Sequence, residues 1–164
     1  MMTKKSEFEK LLSETKLEIN EVLDEKYSNE NVSQIKQFDN IVLNQEDIDE
    51  EVSEDQLEWY RPGIQISILN KLKKIKRDYD FKEGAIDLHG ENIKTAQLNI
   101  NQHLEKCFYN NIRQILIITG KGTESISPLK KLVFVMLKKC PIVEAFCLAT
   151  NHGGNGAFYV QIKN

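Results

Sequence analysis

The second half of the sequence constrains the fold most, because apolar runs of strand length alternate there with amphipathic segments of helix length. Residues 112–118 form a β-branched run of the kind that is buried in a parallel sheet. Asn92 is expected to cap a helix that extends to about Tyr109, and Ser127 with Pro128 marks the start of a second helix. Further strands are expected at residues 85–88, 143–149 and 157–162. The order β-α-β-α-β-β predicts an α/β fold, a two-layer sandwich in which two helices pack against a mixed four-stranded sheet.

Charge divides the chain into two parts of opposite sign. Residues 1–60 hold 17 Asp or Glu and 6 Lys or Arg, a net charge of −11, whereas residues 61–164 hold 8 acids and 16 bases, a net charge of +8. This division predicts an acidic, partly helical and mobile N-terminal arm over residues 1–58 and a basic body that meets a polyanion. The cluster from Trp59 to Gly63 contains Pro62 and marks the boundary. Residues 59–83 are then a basic lead-in helix and linker, and residues 84–164 form the main domain.

Composition argues against several classes of protein. The longest unbroken apolar run, residues 132–137, has six residues and is far shorter than the ~20 that span a bilayer. Residues 1–12 lack the apolar segment of a secretory signal, and the three cysteines lack CxxC spacing. We therefore expect a cytoplasmic protein with reduced, buried thiols, no membrane partner and no structural zinc site.

The first of three polar loops, Asp87-Leu88-His89-Gly90, follows a predicted strand and leads into a helix. Ligands gather outside the carboxyl ends of parallel strands, so this loop is expected to lie beside the second loop, residues 119–125. Asp87 and His89 are two residues apart on a strand and therefore share a face. An acid beside an imidazole fixes its tautomer and increases its basicity, as general acid–base chemistry requires. On spacing alone the alternative stays open that Asp87 caps the strand end and His89 is a hydrogen-bonded turn residue.

The second polar loop contains Gly120-Lys121-Gly122, which places a cation between two residues that tolerate positive φ. Its successive amides and the following helix N-terminus form, with Lys121, a candidate phosphate-binding nest. It is not a Walker A loop, because the required earlier glycine falls at Ile115, and it is not a dinucleotide fingerprint, because the third glycine falls at Ser125. ATP and NAD are therefore poorly supported as ligands. A plain glycine turn with an exposed lysine stays open as the alternative.

The third polar loop, residues 151–156, is expected to be a tight turn between the last two strands. Gly153, Gly154 and Gly156 are interpreted as structural glycines that meet the backbone geometry of this turn, as is Gly90 in the first loop. His152 is a candidate proton donor or phosphate contact.

Residues 64–77 predict an amphipathic helix with a strongly basic polar side. Its cations are Lys71, Lys73, Lys74, Lys76 and Arg77. We interpret the last four as phosphate contacts, and a solvated helix face is the alternative.

Together the three loops resemble the motifs of the Smr (small MutS-related) domain. The LDLHG signature of that family is present as Ile86-Asp87-Leu88-His89-Gly90, its [HT]-G-[KRH]-G loop as Thr119-Gly120-Lys121-Gly122, and its GGxGA element as Gly153-Gly154-Asn155-Gly156-Ala157. The segments Tyr60-Arg61-Pro62-Gly63 and Leu72-Lys73-Lys74 are similar to the lead-in of stand-alone bacterial members. The resemblance covers residues 60–163.

The resemblance implies a fold similar to the C-terminal domain of translation initiation factor three, nucleic-acid binding and, in many members, endonuclease activity. It assigns Asp87 and His89 to catalysis and the glycine loop to phosphate binding. The function it predicts is an endonuclease that cleaves RNA in a translation or ribosome-rescue context, or nicks DNA; the alternative is a non-catalytic nucleic-acid or ribosome-binding module. No cofactor is expected to be required, and Mg²⁺ or Mn²⁺ is compatible with the sequence. The expected partners are RNA or DNA, with the ribosome as a further candidate.

Overall fold

The computed structural model describes residues 41–123 and 126–163 of the 164-residue chain. The helices are α1 (Gln45–Ile48), α2 (Ile66–Lys73), α3 (Ile93–Tyr109) and α4 (Pro128–Lys139). The strands are β1 (Trp59–Tyr60), β2 (Ala85–Asp87), β3 (Gln114–Ile118), β4 (Val143–Ala149) and β5 (Gly154–Ile162). Single 3₁₀ turns lie at Glu54–Gln56 and Lys82–Gly84.

The strands form one mixed sheet in the order β1-β4-β5-β3-β2, which confirms the predicted α/β class. β2 and β3 are parallel, and the other neighbouring pairs are antiparallel. The sheet has one strand more than the sequence predicted, because Trp59 and Tyr60 pair with Phe146 and Ala145 of β4. The turn that the sequence predicts near Pro62 follows directly after this short strand. There the Arg61 side chain donates to one carbonyl at the start of β4 and to another just before it.

The helix boundaries follow from their caps, as predicted. The Asn92 side chain accepts from the Thr95 amide at 2.9 Å at the start of α3. The Ser127 hydroxyl accepts from the Lys130 amide at 3.2 Å at the start of α4, and Pro128 occupies the first turn, where no amide donor is needed. Both helices therefore begin immediately after a polar loop.

Helices cover both faces of the sheet. On one face Phe134 of α4 packs edge-on against Phe146 of β4, with ring centroids 5.4 Å apart. On the other face Leu69 and Leu72 of α2 are buried in a cluster that includes Tyr159 of β5. The predicted lead-in helix is thus an integral part of the fold, since it covers the sheet face that the two predicted helices leave open.

Residues 41–58, here termed the acidic strap, pack against the body. Ile41, Leu43 and Leu57 are buried, at 4%, 9% and 3% exposure. Ion pairs join the strap to the body at Asp47 with Lys139, at Glu50 with Lys138 (3.4 Å) and at Glu58 with Lys73 (2.6 Å). Residues 41–58, part of the arm that the sequence predicts to be mobile, thus carry buried apolar side chains and ion pairs to the body. Residues 1–40 lie outside the described residues.

All three cysteines are buried free thiols, as expected from their spacing. Burial raises the pKa of Cys107 and that of Cys147 to about 11, which keeps both thiols protonated at neutral pH. Within the described ranges, no helix combines the length and apolar character needed to cross a bilayer.

Candidate active site

The three polar loops meet at the ends of β2, β3 and β5. Gly120 approaches the first loop so closely that a Cβ on it would lie 3.3 Å from His89 Cβ. Gly156 approaches the second loop more closely still, because a Cβ there would lie 2.9 Å from the carbonyl carbon of Gly120. The amides of Thr119 and Gly120 both donate to the Gly156 carbonyl, at 2.8 and 3.0 Å. Gly120 and Gly156 are therefore required for the approach of one backbone to another.

Asp87 and His89 form a hydrogen-bonded pair at the end of β2. Asp87 Oδ1 lies 2.7 Å from His89 Nδ1 and also accepts from the His89 amide at 3.1 Å. These two hydrogen bonds hold the pKa of Asp87 below its usual value, so the carboxylate is ionised at neutral pH. Between the two residues, Leu88 is fully buried and its amide donates to the Ile118 carbonyl at 2.8 Å. This anchor fixes the backbone that carries the pair.

The pair itself faces solvent, since the side chains of His89 and Asp87 are 71% and 49% exposed. Because Nδ1 of His89 is held by the carboxylate, Nε2 is the ring nitrogen that remains for a substrate. A neutral imidazole with its Nδ1 proton held in this way presents an acceptor at Nε2. The arrangement can take a proton from a bound hydroxyl or return one to a leaving group.

A cavity of about 560 Å³, here termed the histidine groove, opens beside His89. Its walls are the first loop, the second loop and the starts of α3 and α4. They include His89, Gly90, Asn92, Gly122, Ser127 and Pro128. Two helix N-termini therefore border the same cavity, and the positive ends of their dipoles favour an anion there.

The glycine loop supplies fewer amide donors than the sequence suggested. The Gly120 amide is taken by Gly156, so it cannot also bind a phosphate. Gly122 lines the histidine groove with φ of +69°, and Lys121 is exposed next to it. Thr119 is buried, and its hydroxyl lies 3.2 Å from the carbonyl oxygens of Gly120 and Gly156, which makes it a support of the loop.

His152 is held in an aromatic cluster away from the histidine groove lining. Its Nδ1 lies 2.6 Å from the Tyr159 hydroxyl, and its ring meets Phe81 edge-on at 5.2 Å. The glycines that follow serve the turn: Gly153 and Gly154 have φ of +127° and +59°. The turn is shorter than predicted, because β5 begins at Gly154 rather than at residue 157.

The basic residues of the lead-in do not line the histidine groove. Lys73 forms an ion pair with Glu58 of the acidic strap. The sequence had assigned this lysine to nucleic-acid binding. Lys74, Lys76 and Arg77 are exposed. The sequence had assigned the start of α4 to the candidate phosphate nest, and Ser127 and Pro128 do line the cavity. Sequence reasoning missed the start of α3 as a wall, although it identified Asn92 there as a helix cap.

Among the described residues, no group of three or more His, Cys, Asp or Glu side chains is arranged to hold a metal ion. The Glu91 carboxylate, which lines the histidine groove, accepts from the Asn99 side-chain amide at 3.0 and 3.1 Å.

The segment of the chain that carries these loops matches a known protein family. The Smr domain family model matches residues 86–163. A solved structure of YdaL, a stand-alone small MutS-related protein from Escherichia coli, superposes with a TM-score of 0.67 at 27% identity, covering 78% of this chain and 98% of YdaL. Endonuclease MutS2 from Halothermothrix orenii is 33% identical over 81 residues, and that from Clostridium beijerinckii is 29% identical over 102 residues. These matches cover 49% and 58% of this chain but only 10% and 13% of the MutS2 proteins. Residues 86–163 of this chain therefore form an Smr domain.

Proposed function

We propose that this Smr domain is an endonuclease that cleaves RNA, with His89 as the proton-transfer group. The observation that carries the proposal is the 2.7 Å contact between Asp87 and His89 at the mouth of a cavity bordered by two helix N-termini. An imidazole with a fixed tautomer beside a site that favours anions suits phosphodiester chemistry. The relationship to proteins named endonuclease MutS2 supports a nuclease.

In the proposed reaction His89 Nε2 takes the proton of a ribose 2′-hydroxyl. The 2′-oxygen then forms a bond to the adjacent phosphorus, and the bond from phosphorus to the 5′-oxygen breaks. The leaving 5′-oxygen receives the proton back from the imidazolium, so the products are a 2′,3′-cyclic phosphate and a 5′-hydroxyl. Asp87 is a positioning residue that holds the Nδ1 proton and stabilises the imidazolium as it forms.

Negative charge on the phosphoryl oxygens increases as the new bond forms. Gly122 and the starts of α3 and α4 line the histidine groove, and the exposed Lys121 is next to Gly122 in the chain. These groups are proposed to stabilise the developing charge. Because the Gly120 amide is taken by Gly156, the proposed stabilisation rests on Lys121 and Gly122 rather than on the whole glycine loop.

The exposed cations Lys74, Lys76 and Arg77 are proposed to hold the flanking backbone without reading its sequence. Such binding falls steeply with salt, as expected of counterion release. We propose that the natural target is messenger RNA, cleaved in the cytoplasm in a context linked to translation.

The test compares wild type, His89→Ala and Asp87→Asn on labelled single-stranded RNA and on duplex DNA, each with and without EDTA. We expect RNA cleavage that persists in EDTA, falls by about 10²–10⁴-fold in His89→Ala and falls on the order of 10²-fold in Asp87→Asn. Asp78→Asn removes an exposed carboxylate outside the histidine groove lining and is the matched control. Because His89 is 71% exposed, its replacement is expected to leave the unfolding midpoint unchanged.

Other outcomes decide against the proposal. DNA nicking that requires a divalent metal and no RNA cleavage would assign the domain to DNA. Salt-sensitive binding that is equal in wild type and His89→Ala, with no cleavage of either substrate, would make the domain a binding module.

A further inference from the structure

A second cavity, here termed the tyrosine groove, lies at the other end of β3 from His89. Its volume is about 550 Å³, and its walls come from α2, from the segment after α2 and from the residues before and at the start of β3. Its polar lining consists of Lys71, Tyr79, Asn111, Arg113, Gln114 and Gln161. Neither the motifs nor the proposed cleavage uses any of these residues.

The sheet register gives the position of the tyrosine groove. Gln114 is the first residue of β3 and pairs with Gln161 of β5. Two and four residues further along β3, Leu116 and Ile118 face α2, so Gln114 lies on that face as well. The first loop pairs with β3 at Ile118, which places the histidine groove about 13 Å along the strand.

The tyrosine groove combines two cations with an exposed aromatic ring. Tyr79 is 43% exposed, and Phe81 holds its ring edge-on at a centroid distance of 4.8 Å. The Arg113 guanidinium lies 3.8 Å from the Glu144 carboxylate, and half of the Arg113 side chain remains exposed. Glu144 is mostly buried, at 15% exposure, so it offers little surface to a ligand.

We propose that the tyrosine groove binds a single-stranded segment of the nucleic acid that the Smr domain cleaves. One unpaired base stacks on Tyr79, while Lys71 and Arg113 contact the phosphates on either side. The side-chain amides of Asn111, Gln114 and Gln161 offer both donors and acceptors to base edges. This inference rests on the proposed function and adds to it the substrate class, single-stranded rather than duplex.

The ring of Tyr79 explains why a single strand fits better than a duplex. In a duplex both faces of each internal base are stacked, so an exposed tyrosine ring finds no free base. An acidic protein segment would engage Lys71 and Arg113 but would leave the aromatic face unused. The combination of cations with a stacking ring therefore favours nucleic acid.

An aromatic series connects the tyrosine groove to the catalytic end of the sheet. Tyr79 contacts Phe81, and Phe81 contacts His152 at 5.2 Å. The turn that carries His152 continues to Gly156, which supports the loop beside His89. Packed side chains thus connect the tyrosine groove to the loops beside the proposed site of cleavage.

The test measures binding of fluorescent oligonucleotides of roughly twelve nucleotides by anisotropy, in a His89→Ala background that prevents cleavage. The arms are single-stranded RNA, single-stranded DNA of the same sequence and the corresponding RNA duplex. We expect Tyr79→Ala to weaken binding of the single strands about tenfold and to leave duplex binding unchanged, while Tyr79→Phe stays within about twofold of the parent. Arg113→Gln is expected to lower the slope of log affinity against log salt by about 0.7 for each lost phosphate contact.

Tyr109→Ala is the matched control, because Tyr109 is 42% exposed, contacts Phe108 edge-on and lies on α3, which does not line the tyrosine groove. Equal affinity of Tyr79→Ala, Tyr109→Ala and the parent for single strands would overturn this inference, as would an equal loss with the duplex. If the binding that depends on Tyr79 is tighter for single-stranded RNA than for single-stranded DNA, or the reverse, that preference identifies whether the substrate contains ribose or deoxyribose. Cleavage by wild type without a role for Tyr79 refutes this inference alone, whereas Tyr79-dependent binding without cleavage refutes only the proposed catalysis.

Discussion

Replacing Gly156 by alanine is expected to displace the loop that carries Gly120 and Lys121, and with it the proposed site of cleavage. The added Cβ would lie 2.9 Å from the Gly120 carbonyl carbon and 3.0 Å from the Lys121 nitrogen. Carbon atoms in contact are ordinarily about 3.5–4.0 Å apart, so one backbone must move by roughly 0.5–1 Å. Both neighbours are backbone atoms, so no side-chain rotation relieves the contact.

The size of the effect follows from this displacement. Overpacking of this kind costs about 1–3 kcal/mol of unfolding free energy, and each kcal/mol lowers the unfolding midpoint by roughly 2–4 °C in a chain of this size. The proposed cleavage should suffer more, because misplacement of a reacting group by about 1 Å can lower a rate on the order of 10²-fold. The loss of activity is therefore expected to exceed the loss of folded protein by a wide margin.

Gly154→Ala provides the control. Gly154 has φ of +59°, and no heavy atom lies within 4 Å of the point that a Cβ would occupy. Alanine there therefore costs about 1–2 kcal/mol of backbone strain without pushing on a neighbour. The assay measures the rate of RNA cleavage, the unfolding midpoint and the amide NMR shifts of residues 119–122 for both variants. Equal cleavage rates for the two variants, or unchanged amide shifts in Gly156→Ala, would refute the reasoning.

Three further predictions concern the rest of the described structure. All three thiols should resist a thiol reagent at neutral pH in the native protein and react after unfolding, because each is buried; rapid native reaction of any one would contradict its burial. Leu57→Ala should lower the unfolding free energy by about 2–4 kcal/mol in urea titrations, since Leu57 is 3% exposed. Val42→Ala, at a position that is 70% exposed, should change it by less than about 0.5 kcal/mol. Similar values for the two variants would mean that the strap is not packed. Burial lowers the pKa of His103, so the unfolded chain binds more protons and stability falls as pH drops below the ordinary value of 6.5. Between about pH 7.5 and pH 5.5 the unfolding midpoint should therefore fall more in wild type than in His103→Gln, which keeps a donor to the Gly84 carbonyl.

The elements that could be predicted from the sequence are those whose signals are local. Helices α3 and α4 begin at caps that are encoded within three residues. The apolar run before Thr119 forms a strand, as its β-branched residues predict. The Asp87–His89 contact follows from spacing on one strand, since alternate residues share a face. For these features the sequence nearby contains the whole cause.

The features that the sequence did not predict depend on residues far apart in the chain. β1 has two residues, too few for a periodic pattern, and its partner in β4 lies more than eighty positions later. The acidic strap has a composition typical of a solvated arm, and the burial of Leu57 depends on surfaces supplied by other elements. The Gly120 amide was expected to bind phosphate, but the carbonyl that takes it belongs to Gly156 and is brought there only by the pairing of β3 with β5.

The position of β1 at the edge of the sheet limits where a shortened fragment of this protein can begin. β4 is seven residues long and largely buried, and β1 and the Arg61 side chain occupy hydrogen-bonding groups along its outer side. A fragment that begins at residue 84 would expose this strand as an open, apolar edge, and it would also uncover the sheet face that α2 protects. A fragment that keeps this edge and face covered is therefore expected to begin before Trp59, well upstream of the segment that carries the family motifs, and shorter fragments are expected to associate through β4.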